Sequence, residues 1–265
     1  MTPLGQILAA RIAADGPITL ADYMAECLLH PRYGYYTTRD PFGKSGDFTT
    51  APEISQMFGE MLGLCLAQSW IDQGAPDRII LAEIGPGRGT LMADVLRTLQ
   101  SVPGMSAAVS VHLIEASETL RARQRHTLKG HAIHWHDQVA DLPDGPLYLL
   151  ANEFFDALPI RQFVRQEKGW AERHIGILDG KLAPGLAPAS PFTALAGRRA
   201  DTRPGDIVEY CPALPAIAGD IGTRIATDGG AALIIDYGGW RSLGDTFQAL
   251  KTHRKVDPLA EPGLA

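Results

Sequence analysis

The sequence is short of cysteine, of long apolar runs and of positive charge. Cys27, Cys65 and Cys211 are three among 265 residues, widely spaced and outside any CxxC pair. An odd, sparse set makes no disulfide framework and fits a reducing compartment. It also argues against a cysteine-based zinc site and reads as three small buried hydrophobes. The longest apolar runs, such as Leu147 to Ala151 and Ala231 to Ile235, fall far below the roughly 20 residues of a membrane span. Lys and Arg number 24 against 30 Asp and Glu, for a net charge of −6. Nucleic-acid binding is not expected of such a chain, because phosphates need concentrated positive charge. The start, Met-Thr-Pro-Leu-Gly-Gln, has no basic segment followed by an apolar one, so no signal peptide is expected. There is no GxxxxGK[ST] sequence, no internal repeat and no low-complexity tract, which disfavours a nucleotide-hydrolase P-loop and a solenoid.

What is present is ordinary globular composition, 45% apolar and 20% charged, enough for one large domain or a domain with an appendage. Leu4 to Ala14 has helical spacing, and Thr19 is the expected N-cap of a second helix that stops before Pro31. Residues 33–52 read as a long loop. Helical spacing resumes over 54–71 with Ile54, Met57, Phe58, Met61, Leu62, Leu64, Cys65 and Leu66. Short apolar runs then alternate with helical patterns. Ile79–Ile84, Val109–Ile114, a weak run Ala132–Trp135, Leu147–Ala151 and Ala231–Asp236 are the expected strands. Such alternation predicts an α/β fold with a parallel sheet. Gln162–Gln166 and Trp170–Leu178 read as an inserted antiparallel hairpin, and Pro184–Pro204 as an irregular excursion. The expected division is a helical region over 1–75 and a ligand-binding domain over 76–265, with an insertion at about 160–210.

Leu81-Ala-Glu-Ile-Gly-Pro-Gly-Arg-Gly-Thr90 runs from a buried strand into a glycine turn and a helix. The dinucleotide fingerprint GxGxxG would put glycine at 90, where Thr90 stands. The GxGxG spacing of Gly85, Gly87 and Gly89, with Pro86 between and Glu83 before, is the pattern of S-adenosylmethionine sites. Glu115, at the end of the next strand, can accept hydrogen bonds from both hydroxyls of a ribose. A turn without a ligand and a nicotinamide nucleotide are the competing readings.

Three further segments bear on identity: Gly46-Asp-Phe-Thr-Thr-Ala-Pro-Glu-Ile-Ser55, Asn152-Glu-Phe-Phe-Asp-Ala-Leu-Pro159 and Leu233-Ile-Ile-Asp-Tyr-Gly238. With Glu83-Ile-Gly-Pro-Gly-Arg-Gly89 and His30-Pro-Arg-Tyr-Gly-Tyr-Tyr36 they closely resemble the MidA-like family of S-adenosylmethionine-dependent methyltransferases, over about residues 4–260. The resemblance implies a Rossmann-like class I methyltransferase sheet with an N-terminal helical extension and an inserted β-hairpin. Members of that family continue well past the position of Ala265, so by this resemblance the sequence is expected to be either a C-terminally truncated chain or a short family member. It implies S-adenosyl-L-methionine as cofactor and a protein substrate methylated on arginine. The mitochondrial members assemble respiratory complex I and dimethylate an arginine of one of its subunits. A small-molecule methyltransferase and a non-catalytic donor-binding assembly factor are the alternatives. A bacterial cytoplasmic location is expected, with the mitochondrial matrix as the alternative.

An arginine acceptor stays protonated, with a pKa above about 12, and carboxylates can clamp and orient it. Glu153, just past the fourth strand, is the expected contact to the guanidinium, with Asn152 in the pocket floor and Asp156 as a further candidate. Asn152 and Asp156 could instead cap the following turn. Residues 46–55 are expected to close over the donor or receive the substrate through Asp47, Phe48, Thr49 and Glu53, or only to cap the helix near Glu53. His131, His134 and His136 have near-ligand spacing but read as solvated edge residues, so no metal is expected. Arg121, Arg123, Arg125 and Lys129 read as an ion-paired or solvated helix face.

Overall fold

The structure is a computed structural model that describes residues 1–38, 50–238 and 244–264. Thr2 caps the first helix (α1, Pro3–Asp15), its hydroxyl accepting the Gly5 N–H, and Leu4, Leu8 and Ile12 form the buried stripe. A two-residue strand (β1, Ile18–Thr19) leads into α2 (Leu20–Leu29). Thr19 caps α2 as expected, accepting the Asp22 N–H at 3.0 Å. The expected loop over 33–52 holds a helical turn, α3 (Tyr35–Thr38), and ends in another, α4 (Ala51–Ile54). Asp47, Phe48 and Thr49 lie outside the described residues. A break at Ser55 separates α4 from α5 (Gln56–Asp72), so the 54–71 pattern is not one helix. There follow β2 (Ile79–Ile84), α6 (Thr90–Leu99), α7 (Met105–Ala108), β3 (Val109–Ile114), α8 (Glu118–Thr127), β4 (Ile133–His136) and β5 (Leu147–Asn152). The rest comprises β6 (Arg161–Gln166), β7 (Gly169–Leu178), β8 (Lys181–Leu186), β9 (Ile207–Tyr210), α9 (Leu214–Asp228), β10 (Gly230–Ile235), β11 (Ala249–Lys251) and β12 (Arg254–Val256).

These elements form two compact units, and neither follows a boundary near residue 75. One unit takes the described parts of 40–157 and 214–237. Its sheet has the order β10-β5-β2-β3-β4, and every pairing is parallel. β2 is buried at all six positions, as a central parallel strand covered on both faces must be. One face packs Leu81, Leu113, Tyr148 and Leu150 against α5 and α6; the other packs Ile80, Ala82, Leu149 and Ala151 with Ile221 of α9. α5 therefore belongs with the sheet, which is why the helical extension does not stand apart.

The second unit takes the described parts of 1–39, 158–213 and 238–265. Its sheet is antiparallel in the order β1-β7-β6-β9, with β8 on β7. The expected hairpin is β6–β7, which pairs with β9 and with β1 from the chain start. Residues 184–186, the first of the expected irregular excursion, instead complete the strand β8.

The burial of α5 departs from the apolar spacing. Ile54, Met57, Met61 and Leu64 are 71%, 66%, 54% and 47% exposed, whereas Gly59, Gly63, Leu66, Ala67 and Trp70 are buried. The small residues decide the face. A Cβ on Gly59 would lie 2.6 Å from Asp94 Cβ, and one on Gly63 3.2 Å from Thr98 Cβ, so α6 approaches as closely as the α5 backbone allows.

Two glycine substitutions should therefore have opposite signs. Gly59→Ala gains about 1 kcal/mol of helix propensity but overpacks against Asp94, at a cost of about 1–3 kcal/mol. Its urea midpoint should fall. Gly222→Ala in α9, where an added Cβ meets nothing within 4 Å, should raise the midpoint by about 0.5–1 kcal/mol equivalent. A Gly59→Ala chain as stable as the parent would show that the α5–α6 contact relaxes.

Candidate active site at the carboxyl ends of the parallel strands

Register alone brings the candidate residues to one edge. Ile84 pairs with Ile114 on one side and Ala151 on the other, and Asn152 pairs with Ile235. Gly85, Glu115, Asn152 and Asp236 therefore follow at the same end of four adjacent strands. Open α/β sheets bind ligands there.

Gly85, Gly87 and Gly89 have φ of 65°, 52° and 81°, a region costly for residues with a Cβ. The Gly85 N–H donates to Ile114 O at 3.0 Å, and the Gly89 N–H to Pro86 O at 2.7 Å. A Cβ on Gly85 would lie 2.9 Å from Phe154 Cδ2. Gly89 is the N-cap of α6 and has no side chain to cap it. Glu83 takes that role, accepting the Met92 N–H from the neighbouring strand. Burial pushes the Glu83 carboxyl up to about 8, and nearby Glu115 adds to the shift. Its Oε2 has no hydrogen-bond partner among the described residues.

Glu115 is 8% exposed. Its Oε1 accepts the Ser117 N–H at 2.8 Å, and its Oε2 accepts from Gln124 Nε2 at 3.2 Å. Burial raises its pKa, while these donors and Arg121 oppose the rise. Gln124 was not foreseen. It also donates to Gly87 O at 2.8 Å, so it joins the glycine turn to Glu115. The signal was there: Gln124 stands between Leu120 and Leu128 on the apolar stripe of α8, where a polar residue needs a reason.

Glu153, Asp156, Asp236 and Tyr237 form the acidic part of the edge. Glu153 has φ 50°, unusual for a residue with a side chain, and its N–H donates to Ile235 O at 2.8 Å. Asp236 Oδ2 accepts the Asp156 N–H at 3.1 Å, and the Tyr237 hydroxyl donates to Asp156 Oδ2. Partial burial raises the pKa of Glu153, as do Asp156 and Asp236; Asn152 and the Ala51 N–H donate to it and oppose the rise. Asp156 is raised by desolvation, then by Asp236. Asp156 thus ties the β5 end to the β10 end rather than only capping its own turn.

α4 lies between the two parts of the edge. Glu53 Oε1 accepts from Thr90 Oγ1 at 2.6 Å, and its Oε2 stands 3.5 Å from Arg88 Nη1, while Ala51 bonds Glu153. Glu53, one expected charged contact, thus braces the glycine turn. The histidines belong to the β3–β4 side of the sheet, where His134 pairs with His112 and His136 with Ile114. His134 and His136 line a cavity of about 560 Å³ there, and His136 Nε2 pairs with His112 Nδ1 at 2.9 Å. On α8, Arg121 pairs with Glu118 and Asp137, and Arg125 lies over Trp135.

Comparison with known proteins agrees with this geometry. The model of a family described as "Putative S-adenosyl-L-methionine-dependent methyltransferase" matches residues 61–265. The mitochondrial protein arginine methyltransferase NDUFAF7 of Danio rerio is 39% identical over 97% of this chain and 67% of its own length. Its human counterpart is 38% identical over 100% of this chain and 66% of its own. The chain thus spans about two thirds of the curated relatives it matches. A Burkholderia thailandensis structure described as a "likely methyl transferase", bound to S-adenosyl-homocysteine, superposes with a TM-score of 0.81 at 31% identity, over 98% of this chain and 71% of that one. The α/β sheet is therefore the Rossmann-like methyltransferase sheet.

The raised Glu83 predicts a pH signature. The folded chain holds a proton that the unfolded chain releases near the ordinary carboxylate range, so stability is full at low pH and falls as pH rises toward about 8. The urea midpoint of the parent should drop between pH 6 and 8.5. In Glu83→Gln, whose amide oxygen still accepts the Met92 N–H, the drop should be smaller. Equal slopes for the two chains would place the titration elsewhere.

Proposed function

The chain belongs to the family of S-adenosyl-L-methionine-dependent methyltransferases whose model covers residues 61–265, and on that premise we propose that it methylates arginine side chains of a protein substrate. The observation that carries this reading is the register that sets Gly85, Glu115, Asn152 and Asp236 along one sheet edge. S-adenosyl-L-methionine, when bound, supplies an electrophilic methyl group on a sulfonium. The residues fit it. Three left-handed glycines leave backbone bare of side chains beside the α6 N-terminus. A carboxylate has about four acceptor positions, and the Ser117 and Ala116 N–H groups and Gln124 donate to Glu115, leaving acceptor capacity for a ribose. Glu83 supports the turn from beneath, through the first turn of α6.

Glu153 orients the substrate guanidinium, with Asn152 in the floor and Asp156 beside it. A bidentate carboxylate contact fixes one nitrogen for in-line attack and stabilises the cation. Transfer of a methyl group to a protonated guanidinium releases one proton. Glu153 and Asp156, whose proton affinities are raised, are suited to take it. The arginine substrate rests on the relatives' names. We take the target to be a respiratory complex I-type subunit. We place the reaction in a bacterial cytoplasm, with the mitochondrial matrix of the curated relatives as the alternative compartment.

Titration with S-adenosyl-homocysteine tests the donor half. The parent should bind, and a folded Gly87→Val chain should not, because φ 52° is closed to a β-branched residue. Equal binding by both chains would move the donor off the glycine turn. The acceptor half turns on Glu153→Gln. It should keep the parent affinity for S-adenosyl-homocysteine but lose about a hundredfold or more in turnover on an arginine peptide. Parental turnover would remove Glu153 from the chemistry.

A further inference from the structure

We infer that Gln124 is a positioning residue of the donor site, fixing the Glu115 carboxylate and the Gly87 carbonyl relative to each other. The inference rests on the donor reading above. Gln124 is fully buried, at 0% exposure, and all of its amide is engaged. Trp135 Nε1–H donates to its Oε1 at 2.8 Å. Its Nε2 donates to Gly87 O at 2.8 Å and to Glu115 Oε2 at 3.2 Å.

The direction of the amide follows from chemistry. An indole N–H can only donate, so the face toward Trp135 must be the oxygen. A carbonyl and an ionised carboxylate can only accept, so the face toward Gly87 and Glu115 must be the nitrogen. Trp135 thus pins the amide from β4, and the amide pins two groups of the donor site from below. Gln124 Cγ would stand 3.5 Å from a Cβ on Gly89, so the side chain fills the space beneath the turn. On this account Gln124 sets which lone pairs of Glu115 remain open and holds Gly87 in its left-handed conformation. It touches neither donor nor acceptor.

Gln124→Glu keeps the shape and replaces the NH₂ with an oxygen. The titratable and charged groups on the elements packed against it include Glu115 at the end of β3, on which Glu83 of β2 acts, His136 at the end of β4, whose protonation burial disfavours, and Arg121 and Arg125 on α8 itself. Arg121 Nε bonds the Glu115 carbonyl, and Arg125 lies over Trp135. An ionised carboxylate at position 124 therefore opposes Gly87 O and Glu115, whereas a protonated one has an O–H to donate. The experiment is titration of the full chain with S-adenosyl-homocysteine at pH 8 and pH 6, each variant compared with the parent at the same pH. Gln124→Glu should bind about tenfold to a hundredfold more weakly at pH 8 and regain much of that at pH 6. Gln124→Leu should be weak by one factor at both.

A Gln124→Glu chain with parental affinity at both pH values, or with the same loss at both, overturns the inference. If that variant fails to fold, Trp135→Phe takes its place, keeping a ring and removing only the N–H that orients the amide. It should bind about three- to tenfold more weakly; unchanged affinity overturns the inference. A folded parent that takes no S-adenosyl-homocysteine overturns the donor reading, and this inference with it.

Discussion

The structure of the candidate site depends on one strand. β2 has no exposed position and is paired on both sides. A strand in that situation cannot slip by one residue without turning six buried side chains over and breaking two ladders. Its register sets that of β3 and β5, and β5 sets that of β10. Because all of these strands are parallel, their carboxyl ends share one side, and the residues that follow them become neighbours although 151 positions separate Gly85 from Asp236. The site is in this sense a consequence of the topology, filled in by the residues that happen to come next.

Much of this is legible in the sequence, and the reason is physical. A strand buried on both faces is mostly apolar, so Ile79–Ile84 and Leu147–Ala151 stand out as runs; Ala231–Ile235 stands out as well, although β10 is an edge strand and Ile234 is half exposed. Helix ends marked by a hydroxyl, such as Thr19, are equally plain. What the sequence conceals is anything decided by a partner. Two faces of α5 could be buried, and only the nearness of Asp94 and Thr98 to Gly59 and Gly63 selects the small one. β8 contains Pro184 and Gly185, poor strand formers, and exists because β7 offers a free edge. The turn of the β11–β12 hairpin uses Thr252 and His253 at φ 49° and 61°, positions at which glycine or asparagine would be the usual signal.

The site divides in the same way. Glycines and the acids beside them are visible as a motif because they are contiguous. The links between motifs are not. Gln124 meets Gly87 across 37 residues, Tyr237 meets Asp156 across 81, and Glu53 meets Thr90 across 37. Each is a polar group whose partner is fixed by the fold. Sequence reading finds the groups that face a ligand more readily than the groups that hold them in place.

Electrostatics explains why these acids occupy one edge. Glu83, Glu115, Glu153 and Asp156 all have raised proton affinity there. Burial is the leading cause each time, and a chain selected only for stability has no reason to keep four such carboxyls together. Both ligands of the proposed reaction are cations, a sulfonium and a guanidinium, and each would lower the proton affinity that burial raises. Methyl transfer turns the sulfonium into a neutral thioether and sets one proton free. The edge thereby loses one of its two cations at the moment that a carboxyl becomes able to hold a proton again. An acidic edge of this kind attracts both reactants and weakens its hold on the spent donor, so the direction of charge change in the reaction favours release of the products.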